Sequence, residues 1–69
     1  MSPEIRKIFA QNIIKLRKEK KLKREEMSLE LGFDNSYVSK LEKCKINITL
    51  DKIALIAKYF NVEVKDLFI

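Results

Sequence analysis

Histidine and tryptophan are absent from this sequence, and cysteine, glycine and proline each occur once. Without histidine the chain has no imidazole base, no histidine-ligated metal and no histidine pH switch. The single Cys44 can form no internal disulfide and cannot by itself make a zinc site. So few turn residues disfavour a small sandwich or barrel, and no apolar run approaches the roughly 20 residues of a membrane span. We therefore expect a helical module in a reducing cytoplasm, with no cofactor and no catalytic residues.

The 69 residues have room for one domain, residues 1–69, with one small core. Apolar residues make up 46% of the chain, which is ample for that core, and charged residues make up 36%. Fifteen Lys and Arg against ten Asp and Glu give a net charge of +5, so the module is basic.

The first predicted helix begins with Ser2 as N-cap and Pro3 at the first helical position. It runs to about Lys20 with one apolar stripe, formed by Ile5, Ile8, Phe9, Ile13 and Leu16. Thr49 caps a fourth helix that Asn61 ends. The apolar side of that helix carries Leu50, Ile53, Ile56, Ala57 and Phe60. With a last helical turn over about 64–68, the prediction is an all-α domain of five short helices.

Between the first and fourth helices, a second helix begins near Arg24 and ends at Gly32, and Asp34 caps a third. Two helices that cross at about 90–120° over a short turn need a small side chain where they approach, and Ser28 supplies it. They also need apolar residues that bury one side of both helices. Those residues are Met27, Leu31, Phe33, Val38 and Leu41.

Five segments in order resemble the Cro/repressor-type helix-turn-helix domain, or XRE family. They are IKLRKEK (14–20), EEMSLELG (25–32), YVSKLE (37–42), TLDKI (49–53) and AKYFNV (57–62). The likeness spans about residues 8–68 and implies a lambda-repressor-like domain that binds double-stranded DNA. A more specific likeness, over residues 34–42 and 47–49, is to the controller proteins of restriction–modification systems.

The chain departs from the family pattern at several positions. The family usually has Ser or Thr at Lys23, Gln at Arg24, Ala at Ser28, Gly at Cys44 and Pro at Ile48. An arginine can contact phosphate with stronger charge assistance than glutamine. Cys44 in place of glycine implies either a relaxed turn or a strained residue after the third helix.

The resemblance assigns the outer side of the helix-turn-helix to DNA, because the start of the second helix of this motif enters the major groove. The predicted base-reading residues are Asn35, Ser36, Tyr37, Ser39 and Lys40. The predicted phosphate contacts are Arg24, Lys43, Lys45 and Asn47. Without the resemblance, these residues and the basic run over 15–24 would be interpreted as solvated polar faces.

Two further groups have a structural role. Arg17 and Glu42 each lie four residues after an apolar position, and in the family the matching residues form a buried salt bridge. The C-terminal apolar group is either core or, because so small a domain has little interior, a homodimer interface. That group consists of Tyr59, Phe60, Leu67, Phe68 and Ile69, with Ile48 at its edge.

The sequence therefore predicts a homodimeric regulator that binds a pseudo-palindromic operator and has no membrane or small-molecule partner. One alternative is a protein-binding module, such as an antitoxin or anti-repressor, on the same fold. Another is a basic amphipathic helix at a membrane surface, which is disfavoured because the first helix spends its apolar stripe on the core. Binding that weakens steeply with salt distinguishes DNA from a protein partner.

Overall fold

The structure, a computed structural model, describes residues 3–69 and is helical with no strand in that range. It contains four α-helices and a final five-residue 3₁₀ helix. They are α1 (Pro3–Glu19), α2 (Arg24–Glu30), α3 (Tyr37–Glu42), α4 (Leu50–Tyr59) and the 3₁₀ helix (Val64–Phe68). The all-α class is confirmed, but the fifth helix is not an α-helix. Its start is closed by an i to i+3 bond, from Asp66 N–H to the Glu63 carbonyl at 3.0 Å, which is the 3₁₀ pattern.

The 17 residues of α1 form a rod about 25 Å long, close to the 27 Å longest dimension of the molecule. Its middle packs into the core through Phe9, Ala10 and Ile13. Ile5 and Ile8, predicted to face inward, are 42% and 38% exposed, because the first turns of so long a helix lie at the edge of the core. The predicted Ser2 cap lies outside the described residues.

The four α-helices all end in the same way. Each is followed by a residue with positive φ, at Lys21, Gly32, Cys44 and Asn61. The next N–H then bonds back to a carbonyl five residues earlier, as from Leu22 to Arg17 at 3.1 Å, which is the Schellman arrangement. Gly32 and Asn61 were the predicted stops. Cys44 has φ of 60°, so the turn after α3 is left-handed and strained at a side chain rather than relaxed.

The core lies where α1, α3, α4 and the 3₁₀ helix meet, around the fully buried Ile13, Val38, Ile56 and Leu67. Asn12 of α1 donates its side-chain amide to the carbonyl oxygens of Leu67 at 2.9 Å and Ile69 at 3.1 Å. These bonds hold the C-terminal segment against α1.

Leu50, predicted to face the core from α4, is instead 83% exposed. It is the first residue of that helix, so its side chain lies beyond the point where α4 meets the rest of the core.

Candidate nucleic-acid interface

The second and third helices are joined by six residues, Leu31 to Ser36, and are tied directly by one side chain. Ser28 of α2 is fully buried. Its hydroxyl donates to the Arg24 carbonyl at 2.9 Å and accepts from the Val38 N–H of α3 at 2.9 Å. Sequence reasoning treated Ser28 only as a small residue. A hydrogen-bonding role could have been predicted, because a hydroxyl buried where two helices cross needs partners.

Asp34 was predicted to cap α3, but it closes the turn before that helix, and Ser36 is the N-cap residue. Its Oδ1 accepts from the Ser36 N–H at 2.9 Å and from the Ser36 hydroxyl at 2.6 Å. The hydrogen bond from the Ser36 hydroxyl, followed by that from the Ser36 amide, holds the pKa of Asp34 below its usual value. Because this Asx-type turn takes up residues 34–36, the helix begins at Tyr37, and Asn35 and Ser36 precede it.

Tyr37 was predicted to read bases, and in the structure its side chain lies in the core. The residue is 7% exposed, and its ring centroid lies 4.4 Å from that of Phe33. Lys52 Nζ of α4 lies 4.8 Å from the centroid of the Tyr37 ring and 5.3 Å from that of Phe33. With α3 starting at Tyr37, this residue, Val38 and Leu41 form the inward face. The buried Tyr37 side chain is therefore not available to contact bases.

Four of the five predicted base-reading residues remain at the surface. Asn35 and Lys40 are exposed, and Ser36 and Ser39 are half-buried. Asn35 and Ser36 lie in the turn before α3, and Ser39 and Lys40 lie in its first part. This is the part of a helix-turn-helix that enters a major groove.

The predicted salt bridge between Arg17 and Glu42 is present and nearly closed to solvent. Arg17 Nε lies 2.7 Å from Glu42 Oε2, and the two side chains are 9% and 4% exposed. Arg17 Nη1 also donates to the Leu22 carbonyl at 2.9 Å. The bridge joins α1 to the end of α3, and it removes Arg17 from the basic surface.

Arg24, a predicted phosphate contact, also bonds to this carboxylate. Its Nε lies 2.9 Å from Glu42 Oε1, while its side chain stays 56% exposed. Glu42 therefore orients the Arg24 guanidinium at the protein surface. A guanidinium has five N–H donors, so donors remain for a phosphate.

The other predicted phosphate contacts lie in the loop between α3 and α4. Lys43, Lys45 and Asn47 are all exposed. The Asn47 side-chain oxygen accepts a hydrogen bond from the Arg6 guanidinium, a contact that sequence reasoning missed. With that oxygen occupied, the amide nitrogen of Asn47 is the group that can donate to a phosphate.

Of the predicted dimer residues, Leu67 is fully buried and cannot form a surface. It fills the space between α1 and the 3₁₀ helix, where the bonds from Asn12 hold its backbone. Tyr59 and Phe60 are half-buried and pack edge to face, with Lys20 Nζ 4.4 Å from the centroid of the Tyr59 ring. Phe68 is half-buried and stacks on Phe9 at 5.2 Å, and Ile69 is 83% exposed.

Some of the exposed apolar side chains line a groove of about 420 Å³ that Phe68 also borders. Leu50, Val64 and Ile5 contribute side chains that are 83%, 43% and 42% exposed. We call this surface the apolar groove; its lining residues are Ile5, Asn47, Ile48, Leu50, Ile53, Val64 and Phe68.

The two tyrosines of the chain provide a test of the packing around α3 and α4. Burial, a hydrogen bond from its hydroxyl to Glu30 at 2.6 Å and the Glu30 charge raise the pKa of Tyr59 to about 12. Burial, and then the Asp34 charge, raise the pKa of Tyr37. A raised folded-state pKa contributes stability that is fully present below the unfolded pKa of 10.0 and is lost as pH rises through the folded value.

We therefore expect the native protein to form little tyrosinate at pH 10 and to lose stability between about pH 10 and 12. Near-ultraviolet absorbance during an alkaline titration measures this, with the urea-unfolded chain as reference. In the Tyr59→Phe variant, Tyr37 is the remaining tyrosine, so its titration is measured separately. Titration of native Tyr59 at the unfolded value would contradict the contact with Glu30.

Helix α2 packs on α3, and α3 presents polar side chains beside a loop that carries Lys43 and Lys45. This arrangement is that of a helix-turn-helix DNA-binding regulator. Residues 13–67 match the family model described as Helix-turn-helix, and the chain belongs to that family. Within residues 3–69, no helix has the length and apolar character needed to cross a membrane.

Three proteins are similar to this chain over most of its length. Control protein C.BamHI of Bacillus amyloliquefaciens is 32% identical over 68 residues, which are 97% of this chain and 84% of that protein. The crystal structure of the restriction-modification controller protein C.AhdI from Aeromonas hydrophila superposes with a TM-score of 0.82 at 32% identity. That match covers 91% of this chain and 96% of C.AhdI. The hypothetical transcription factor NHTF from Neisseria matches with a TM-score of 0.89 at 30% identity, over all of this chain and 82% of that one.

Proposed function

We propose that this regulator acts in the cytoplasm as a homodimer on a pseudo-palindromic operator and controls a restriction–modification system. The homology to C.BamHI and C.AhdI, named as control and controller proteins, supports the second part. The observation that carries the DNA-binding surface is the outer side of α3 and its turn. There Asn35 and Lys40 are exposed, while Tyr37, Val38 and Leu41 of the same helix are buried.

We assign base readout to the outer side of the turn and α3. Asn35 has the amide that can pair with adenine N6 and N7, and serine hydroxyls can donate or accept. The assigned base-reading residues are Asn35, Ser36, Ser39 and Lys40. Phosphate binding is assigned to Arg24, Lys43, Lys45 and Asn47, which lie on either side of them in the chain.

We assign the homodimer contact to the apolar side chains of this groove together with Ile69. An exposed Leu50 stands at the rim of a groove lined by other apolar side chains. A two-fold axis would place the Leu50 of each copy against the groove of the other, which is the self-complementary contact of an isologous dimer. Such a dimer can carry two recognition helices to half-sites roughly 34 Å apart.

Asn35→Ala is expected to reduce discrimination between operators by roughly 1–3 kcal/mol at one base position, because a bidentate base contact is lost. Enrichment of random duplexes on the purified protein first identifies the preferred site. Competition of that site against single-base variants and scrambled DNA then measures the change. Gln11→Ala, an exposed amide on α1, is the matched control.

Lys43→Ala should differ in kind. It is expected to weaken binding to all duplexes alike and to lower the salt slope by about one, since it removes a phosphate contact. Unchanged discrimination in Asn35→Ala would exclude the base contact. Binding by the unmodified protein that does not depend on salt would favour the protein-binding alternative over DNA.

A further inference from the structure

The start of α3 lacks the cap that its own sequence would provide. Ser36 is the N-cap residue and is of a type that ordinarily caps a helix through its hydroxyl. Its hydroxyl is instead bonded to Asp34 Oδ1 at 2.6 Å, and it makes no side-chain bond to the N–H groups of α3. The first N–H groups of a helix have no partner inside the helix, so they must be satisfied from elsewhere.

Ser28 supplies that partner from the neighbouring helix. Val38 is the second residue of α3, and its N–H donates to Ser28 Oγ at 2.9 Å in a fully buried contact. The same hydroxyl donates to the Arg24 carbonyl at 2.9 Å, so its orientation is fixed by α2. The Ser28 hydroxyl therefore donates a hydrogen bond within α2 and also caps α3 by accepting one from its backbone.

This bond has more influence on α3 than it would have on a longer helix. Six residues are far too few to hold a helix by their own backbone bonds, so contacts with neighbours define where α3 lies. Apolar packing of Val38 and Leu41 is non-directional, whereas a hydrogen bond is directional. The proposed base-reading residues all lie within three residues of Val38.

We propose that Ser28 is a positioning residue for DNA recognition. It caps α3 from α2 and thereby sets the angle at which the base-reading side chains enter the major groove of DNA. The inference rests on the base-reading role proposed above. Loss of the hydroxyl leaves the volume and the charges of the interface almost unchanged. Its effect on sequence discrimination should therefore exceed its effect on general affinity for DNA.

The test is Ser28→Ala, which removes one oxygen from a buried site and leaves the buried Val38 N–H without its partner. We expect the unfolding equilibrium constant to rise roughly ten- to a hundredfold and the Val38 amide to lose protection from hydrogen exchange. At a temperature where the variant is folded, the affinity ratio of the enriched duplex over scrambled DNA should fall about tenfold. The affinity for scrambled DNA and the salt slope should not change.

Two variants make the result specific. Ser28→Cys keeps the shape with a weaker acceptor and should fall between the native chain and Ser28→Ala in both readouts. Ile56→Val destabilises the core at a fully buried residue of α4 and should leave the affinity ratio unchanged.

Ser28→Ala with a native affinity ratio would overturn the positioning role, as would a Val38 amide that stays protected in that variant. A fall in the ratio for Ile56→Val as large as for Ser28→Ala would also overturn it, because general destabilisation would then explain both. If the native chain enriches no duplex, the proposed base reading fails and the positioning role fails with it. That outcome is distinct from a loss confined to Ser28→Ala.

Discussion

Glu42→Ala is expected to lower the free energy of unfolding by about 3–5 kcal/mol, because it leaves the charge of Arg17 buried without its partner. The carboxylate accepts from Arg17 Nε at 2.7 Å and from Arg24 Nε at 2.9 Å, and its side chain is only 4% exposed. Folded domains are stable by about 5–15 kcal/mol in total, so the loss is a large share. Urea denaturation followed by circular dichroism measures it.

Two further variants show that the loss comes from burial of the pair. Glu42→Gln keeps the size of the side chain and one oxygen for Arg17, so we expect a smaller loss than in Glu42→Ala. Glu63 and Lys65 form a pair whose side chains are 75% and 77% exposed. Lys65→Ala should therefore cost no more than about 1 kcal/mol. Equal losses for Glu42→Ala and Lys65→Ala would mean that the buried bridge adds nothing beyond a surface pair.

The helical framework could be predicted because its signals are local. A period of 3.6 residues in the apolar pattern identifies a helix wherever the helix packs, and Gly32 and Asn61 mark two of its stops. The positions of these elements in the structure agree with that pattern to within a few residues. The 3₁₀ form of residues 64–68 could not be predicted, since a single turn contains no period that separates it from an α-helix.

The orientation of α3 could not be predicted in detail, because it depends on where the helix begins. The Asp34 turn moves the start of α3 to Tyr37, and Tyr37 and Val38 then both face inward. Neither the aromatic ring nor its neighbours in sequence reveal this, since a tyrosine suits a core and a DNA surface equally.

The lining of the apolar groove could not be predicted, for a related reason. An apolar residue at a helix end satisfies the period whether it faces the core or a partner. Leu50 and Ile5 were therefore predicted as core, and Leu67 as interface. So small a domain has little interior and leaves surplus apolar surface, but only packing decides which side chains form that surface.

Leu50→Glu is expected to convert the proposed dimer to a folded monomer and to weaken operator binding by one or more orders of magnitude. A two-fold contact repeats each change, so two charges would enter the interface at once. Burial of a leucine side chain contributes about 1.5–3 kcal/mol, which the variant forgoes in each copy. The fold itself should tolerate the change, because Leu50 is 83% exposed and an acidic residue in the first turn of α4 favours the helix.

Leu55→Glu is the matched control, since Leu55 lies on the same helix, is 41% exposed and is not part of the groove lining. Sedimentation equilibrium at tens of micromolar should give twice 8.2 kDa for the native chain and for Leu55→Glu, and 8.2 kDa for Leu50→Glu. A native chain that sediments as a single 8.2 kDa species would end the dimer proposal. If Leu50→Glu remained a dimer, the two-fold contact would have to lie on another surface. An operator with two half-sites roughly 34 Å apart requires the dimer, because a monomer presents one recognition helix and can occupy only one major groove.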